Sequence, residues 1–563
     1  MNPPTRVLSL PYDQLPAIDR ILTEHILRSF GISDDIEPII LYLVSASRNG
    51  HLCCEVKSDQ LNPDPTILWG EGAWSDRIID SFKTLCRLPD KITETKIKIE
   101  ANRLYLLNNW IKESEIREAI EKLRAEPPRL EPDINLIRSE ISELLTQKKL
   151  EPEQAKAIEA SSQNAITLIS GGPGTGKTYT AGMVIKTLLK ALGNDRQIEV
   201  SLAAPTGKAA SQLQLSITTA MGPSAQNIRF DSKTLHALLG RKKQGKTATF
   251  LSSDIILVDE SSMIDAGLLL DLLKARKEGS RLILLGDPHQ LPPIESGSLF
   301  ADLIQMQLPG AHLKKCLRAE MAELIEFATL INLGNHTQAW ESISKNGSNA
   351  PVYLYQNDPI NLAIEKYPTN FHLPIEVLLT EFQKFRILTP LNQGKLGVEG
   401  LNQTCRDRFV AKAKDRFILP IMITTNDYRL GLFNGEIGLL EMQPPFDRIK
   451  PGDIAYFFGG EKEALRRFPA LTLPTNQTAY ALSVHKSQGS EFSEVLLVLP
   501  EGSESFGREV VYTGVTRAKR SVALYTTQTT FNAALSKRSH RISGLTDCYL
   551  DKPQIVQAPM SPC

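Results

Sequence analysis

Apolar residues are grouped along the chain in two different rhythms. From about residue 150 they come as short continuous runs: "AITLIS", "IEVSLAAPT", "DIILVDE" and "RLILLGD". Each run ends in Gly, Pro, Asp or Ser, and helical stretches lie between them. Runs of this length suit strands buried on both faces of a parallel sheet, whose ligand sites gather at the strands' C-terminal ends. A second set, "FRILTP", "TAYALSVHKSQG", "EVLLVLP" and "SVALYTT", predicts a second sheet of the same α/β class. Between its first members, at about residues 410–475, short strand-like pieces are separated by Asn-Asp, Asn-Gly and Pro-Gly. That texture predicts a small β-barrel inserted into the second unit.

The first 125 residues follow the other rhythm. "HLCCEV" reads as a strand, and Ile111, Ile116, Ile120 and Leu123 recur at helical spacing in "WIKESEIREAIEKLRAE". "RAEPPRLEPD" follows, and its three prolines disfavour helix and mark a linker. The expected division is an N-terminal mixed domain at 1–125, a linker at 126–145, a first parallel-sheet α/β domain at 146–345, and a second at 346–563 carrying the insertion at about 410–475.

Length agrees with several units, since 563 residues exceed what one core holds. Lys+Arg and Asp+Glu both number 64, so no global basic coat exists, although a local basic channel remains compatible with that balance. No secretory signal is expected at the N-terminus, and the run Ile39 to Val44 is too short to cross a bilayer. The seven cysteines include no Cys-x-x-Cys pair, so reduced thiols in a cytoplasmic protein are expected.

The chemistry begins at "ITLISGGPGTGKTYTAGMVI". Gly171, Gly172, Pro173, Gly174, Thr175, Gly176, Lys177 and Thr178 form a glycine-rich phosphate loop between a strand and a helix. Backbone N–H groups would cradle the phosphates of ATP, Lys177 would reach the β- and γ-phosphates, and Thr178 would hold Mg²⁺. "DIILVDESSM" ends in Asp259, the expected Mg²⁺ partner, and Glu260, the candidate base for the attacking water. Gln290, in "LILLGDPHQLPPI", is an amide suited to sensing the γ-phosphate. Arg318 and Arg517 offer delocalised charge for the transferring phosphoryl group.

"GGPGTGKT", "LAAPTGKAA", "KTLHALLG", "VDESSM", "LGDPHQLPP", "ALSVHKSQGSEF" and "VVYTGVTRAK" occur in this order over about residues 150–545. The series resembles the ordered motifs of superfamily 1 DNA helicases, and specifically the RecD-type branch, the alpha subunit of exodeoxyribonuclease V. "ILTPLNQGKLGVEGLNQ", "MITTNDYRLGLFNGEIG" and "SHRISGL" also resemble that branch. "NRLYLLNNWIKE" extends the resemblance weakly to the N-terminal domain. The resemblance implies two RecA-like P-loop domains, an SH3-like insertion, and an ATP-driven 5′–3′ helicase acting on single-stranded and duplex DNA. It also implies RecB-like and RecC-like partners in a heterotrimer for break repair and recombination, with the N-terminal domain contacting them.

At the residue level it implies that Gln154 reads adenine and that Pro205, Thr206, Gly207 and Lys208 contact DNA. Thr234 and His236 match the next DNA-contact motif, and His485, Lys486, Ser487 and Gln488 belong to a further one that ends in Gly489 and Glu491. Phe433 and Tyr428 are candidates for stacking on bases, with barrel core as the alternative. "GRKKQGK" reads as a solvated loop. Two rival readings stand beside this one: a stand-alone helicase of the same branch, and a non-catalytic DNA-binding subunit. The retained Lys177, Thr178, Asp259, Glu260, Gln290 and Arg517 speak against the second. No nuclease cluster is evident, so cutting is expected of a partner.

Overall fold

The computed structural model describes residues 15–30, 34–57, 59–70, 74–87, 96–193, 197–222, 228–240, 250–293, 295–318, 321–459, 465–539 and 541–546. Most of "GRKKQGK" therefore lies outside the described residues. No helix among the described residues is long and apolar enough to cross a membrane.

The first parallel sheet has six strands, in the order Gly310–Leu313, Ile166–Gly171, Arg281–Gly286, Ile255–Val258, Ile198–Ala204 and Ile228–Thr234. Every pair in it is parallel. Its central strands are buried along their whole length, which is why their sequences are apolar without alternation. Register pairs Ser170 with Gly286 and Val258 with Leu284, so the polar residues that follow these strands meet at one sheet edge.

The second sheet has five parallel strands, in the order Val352–Leu354, Ala518–Thr526, Phe492–Leu499, Phe385–Thr389 and Ala481–Ser483. The insertion is a five-stranded antiparallel sheet: Leu465–Pro469, Ile454–Phe458, Ile437–Met442, Phe417–Ile423 and Asn476–Thr478. No hydrogen-bonded pair joins its two edge strands among the described residues, an open ladder compatible with the small SH3-like barrel expected there. Phe417, Leu439 and Phe457 of this sheet share one core with Phe409 and Tyr480 of the second lobe. The insertion is therefore fixed to that lobe by common packing.

The N-terminal unit carries a four-stranded antiparallel sheet and closes with the helix Leu107–Ala125. Ile116, Ile120 and Leu123 leave that unit and pack into the core of the first lobe beside Leu269 and Leu273. The stretch expected as a linker departs from expectation in its second half. Residues Ile134–Thr146 form a helix whose start is capped by Asp133, which accepts from the N–H groups of Asn135 (2.9 Å) and Leu136 (3.1 Å). Ile137 and Leu144 bury its inner face against Ile158, Ile185 and Leu188. Only the proline-rich residues before Asp133 act as a connector.

Candidate functional site

The phosphate loop turns between the strand Ile166–Gly171 and the helix Lys177–Leu192. Gly174 and Gly176 have φ of +70° and +80°, a backbone that residues with a Cβ rarely adopt. The Thr175 hydroxyl donates to the Gly172 carbonyl (2.8 Å) and braces the turn. The Lys177 ammonium donates to the carbonyls of Gly171 (2.7 Å) and Gly172 (3.0 Å), so its charge stays at the mouth of the loop.

Asp259 accepts from the Glu260 N–H (2.7 Å) and lies beside Lys177 and the Thr178 hydroxyl. Burial raises its carboxyl despite the Glu260 N–H, Lys177 and Thr178, which all lower it. Burial, and then the charge of Asp259, raises the Glu260 carboxyl, while Arg517 and Lys177 pull it down. Glu260 has φ of +51°, an uncommon conformation for a side-chain-bearing residue, and its buried Oε2 has no hydrogen-bond partner. The Thr178 hydroxyl and Asp259 carboxylate are hard oxygen donors of the kind Mg²⁺ takes. Among the described residues no group of three or more His, Cys, Asp or Glu is placed to hold a metal ion.

A cavity of about 430 Å³ gathers these groups. Gly172 to Thr178, Asp259, Glu260, Gln290 and Arg318 form its wall on the first lobe, and Gly489, Glu491, Thr516 and Arg517 on the second. Lys177, Asp259, Glu260, Gln290, Arg318 and Arg517 thus line a single space between the lobes. Arg517 is only 4% exposed and is aimed by bonds to the carbonyls of Thr513 (3.3 Å) and Ser490 (3.4 Å). Arg318 pairs with Glu491 (3.2 Å), which also pairs with Lys519 (3.0 Å). Gln290 is buried, and its Oε1 has no partner. Gly171 ends its strand behind the wall, and Gln154 is also outside the lining. Gln154 is 2% exposed, and its Oε1 accepts from the Glu151 N–H (3.0 Å), which caps its own helix. Its unpartnered Nε2 faces Gly176, so one amide end remains uncommitted beside the loop.

A second groove, of about 290 Å³, also has walls from both lobes. Pro205, Thr206, Lys208, His236, Pro292 and Pro293 face His485, Lys486, Gln488 and Ser490, with Asn434 and Gly435 from the insertion. Lys208 donates to Ser490 (3.0 Å) across the lobes, and burial, with Arg386 and Lys519 nearby, lowers its ammonium to about 8. Three expected contact residues lie behind this wall. Thr234 is buried and caps the short helix Leu235–Leu238, and Ser487 is buried with its hydroxyl on the Val484 carbonyl (2.7 Å). Gly207 is buried beneath Phe433: a Cβ there would stand 2.7 Å from the Phe433 Cβ. Phe433 therefore packs between insertion and first lobe, while Tyr428, 58% exposed, meets it edge-on at 5.9 Å. Neither lines the groove.

One set of contacts between the lobes is not legible in the sequence. The Tyr512 hydroxyl donates to Asp287 (2.9 Å), the Leu291 N–H to the Thr513 hydroxyl (2.9 Å), and Gln488 to the Leu291 carbonyl (3.2 Å). Leu291 itself sits in the core of the second lobe with Val510 and Val511. The polar residue after "LILLG" was the available signal; its partner across the lobes was not.

Known proteins match this layout. Residues 149–349 match the AAA domain family, and 478–525 the UvrD-like helicase C-terminal domain. The chain is 28% identical to RecBCD enzyme subunit RecD of Mycolicibacterium smegmatis, over 91% of this chain and 93% of that one. It is 28% identical to the subunit of the same name from Haemophilus influenzae, over 78% and 79%. It is 30% identical to the ATP-dependent RecD2 DNA helicase of Deinococcus radiodurans, over 66% of this chain and 48% of that one. A Pif1 helicase structure from Candida albicans aligns over 71% of this chain and 99% of that one, with 16% identity and a TM-score of 0.41. Two nucleotide-binding lobes with the helicase motifs at their junction define an ATP-dependent DNA helicase of superfamily 1. Within that class, the chain belongs to the RecD-type helicases.

Proposed function

We propose that this helicase moves 5′ to 3′ along single-stranded DNA in the cytoplasm, as the RecD-like subunit of a heterotrimer with RecB-like and RecC-like partners acting in break repair and recombination. The observation that carries the reading is that both the phosphate cavity and the second groove are walled by both lobes. A triphosphate held by Lys177 on one side and Arg517 on the other draws the lobes together, and its cleavage removes that attraction. Glu260 orients the attacking water, Gln290 senses the γ-phosphate, and Arg318 and Arg517 stabilise charge on the transferring group. Mg²⁺, held by Thr178 and Asp259, would neutralise phosphate charge there. A strand lying across Thr206, Lys208, His236, His485 and Lys486 is gripped by both lobes and advances when they move.

The subunit reading is supported by the similarity to the M. smegmatis RecBCD enzyme subunit RecD, which extends over 91% of this chain. The test is unwinding of duplexes carrying only a 5′ or only a 3′ tail, with Lys177→Ala as the hydrolysis-dead control. The 5′-tailed substrate should open faster, and Lys177→Ala should open neither. A 3′ preference would refute the polarity.

A further inference from the structure

The groove between the lobes does not end at the lobes. Two residues of its wall, Asp265 and Glu295, also wall a separate cavity of about 320 Å³. The far side of that cavity is supplied by the N-terminal unit, through Ser47, Arg48 and Lys112. The two spaces are therefore neighbours along one surface, and the second lies between the N-terminal unit and the first lobe.

Its chemistry is that of a phosphate path. Lys112 lies on the exposed face of the helix Leu107–Ala125, and no described carboxylate pairs with it. Arg48 is held in place by one bond from its Nε to Asp19 (2.7 Å) and is still 40% exposed. Arg541 stands at the seam: it packs over Gly50, donates to the Glu295 carbonyl, and is close enough to His485 for its charge to add to burial in lowering that imidazole. Cations thus run from Lys208, Lys486 and His485 in the groove, past Arg541, to Arg48 and Lys112. Against them stand Asp19, already paired with Arg48, and the two lining carboxylates Asp265 and Glu295, of which Asp265 is engaged by the Leu268 N–H (2.9 Å) at a helix start. No aromatic side chain lines the second cavity, so it suits a sugar-phosphate backbone and not stacked bases.

We propose that the single strand continues from the inter-lobe groove into this cleft, where Lys112 and Arg48 contact its phosphates. The N-terminal unit then extends the DNA track in addition to any role with partners. This rests on the helicase reading above.

The test is equilibrium binding of oligo(dT) to the full chain at several salt concentrations. One oligonucleotide is just long enough to saturate the ATPase; the other is about twice that length. Lys112 is exposed and pairs with no carboxylate among the described residues, so Lys112→Ala and Lys112→Glu should fold. The wild type should bind the longer strand more tightly. In Lys112→Ala that gain on lengthening should fall, with the slope of log affinity against log salt reduced by about 0.7 for one lost single-strand contact. Lys112→Glu should fall further. A photo-crosslinker placed at position 112 should label only nucleotides near one end of the longer strand. Wild-type gain and slope retained in Lys112→Glu, or no crosslink, would overturn the extension while leaving the helicase reading intact. Failure of the wild type to bind either strand would instead overturn the helicase reading, and this one with it.

Discussion

The carboxylate of Asp287 is 0% exposed, yet the hydroxyl that donates to it at 2.9 Å belongs to the other lobe. The His289 N–H supplies a second bond (3.0 Å) from its own loop, and the Gln290 amide is only marginally within reach at 3.5 Å. The same tyrosine hydroxyl lies against Gly172 of the phosphate loop. Residue 287 therefore sits where the phosphate loop, the Gln290 loop and the second lobe meet. Removing one oxygen isolates its contribution. Tyr512→Phe leaves a buried acceptor short of a donor, which costs about 1–3 kcal/mol. A lower urea midpoint should report that loss. The ATP consumed per base pair opened should also rise, because the loop bearing Gln290 loses one of its hydrogen bonds to the second lobe and keeps only those at Leu291. An unchanged midpoint and an unchanged consumption ratio would show that the bond carries neither stability nor coupling.

At the scale of elements, the central strands were legible because burial on both faces removes alternation, and "AITLIS", "DIILV" and "RLILLG" show it directly. The edge strands Gly310–Leu313 and Ile228–Thr234 were not, since a strand paired on one side tolerates polar residues such as His312, Asp231 and Lys233. The helix Ile134–Thr146 was hidden by the prolines ahead of it, although Ile134, Ile137, Ile141 and Leu144 repeat with helical spacing after a capping Asp133. The phosphate loop and its acids were legible because their chemistry is local in sequence. The contact of Gly207 with Phe433 was not, because it joins segments far apart in the chain. That contact makes the glycine a spacer between the insertion and the first lobe. Gly207→Ala places a methyl 2.7 Å from the Phe433 Cβ and should lower stability by about 1–3 kcal/mol through overpacking. Phe433→Ala introduced into the same chain should recover part of that loss, so thermal melts of the two single variants and the double should be non-additive. Strict additivity would show that insertion and lobe are not in tension there.

Across the whole molecule, the described residues 541–545 bring the end of the second lobe back to the N-terminal unit. The Leu52 N–H donates to the Ile542 carbonyl (2.9 Å), the Gly544 N–H to Glu113 (3.0 Å), and the Ser543 hydroxyl to Asp302 of the first lobe (2.7 Å). Three units thus meet at a small buried polar cluster, next to the seam where the proposed DNA track crosses. Burial is the main cause that lifts the Asp302 carboxyl from 3.8 to about 7; the Ser543 bond opposes it, the Glu113 charge adds to it, and Arg103 opposes it. A raised acid holds its proton in the folded state and releases it on unfolding. Its stabilising contribution is therefore full below about pH 4 and lost as pH rises through about 7, by roughly 4 kcal/mol in all. Asp302→Asn cannot ionise and keeps an oxygen to accept from Ser543. Its melting temperature relative to wild type should therefore climb between pH 5 and about pH 7, where only the unfolded wild-type chain releases the Asp302 proton, and level off towards pH 8. A difference that stays constant over that interval would mean that Asp302 is already charged in the folded chain, and that the junction of the three units does not sense pH.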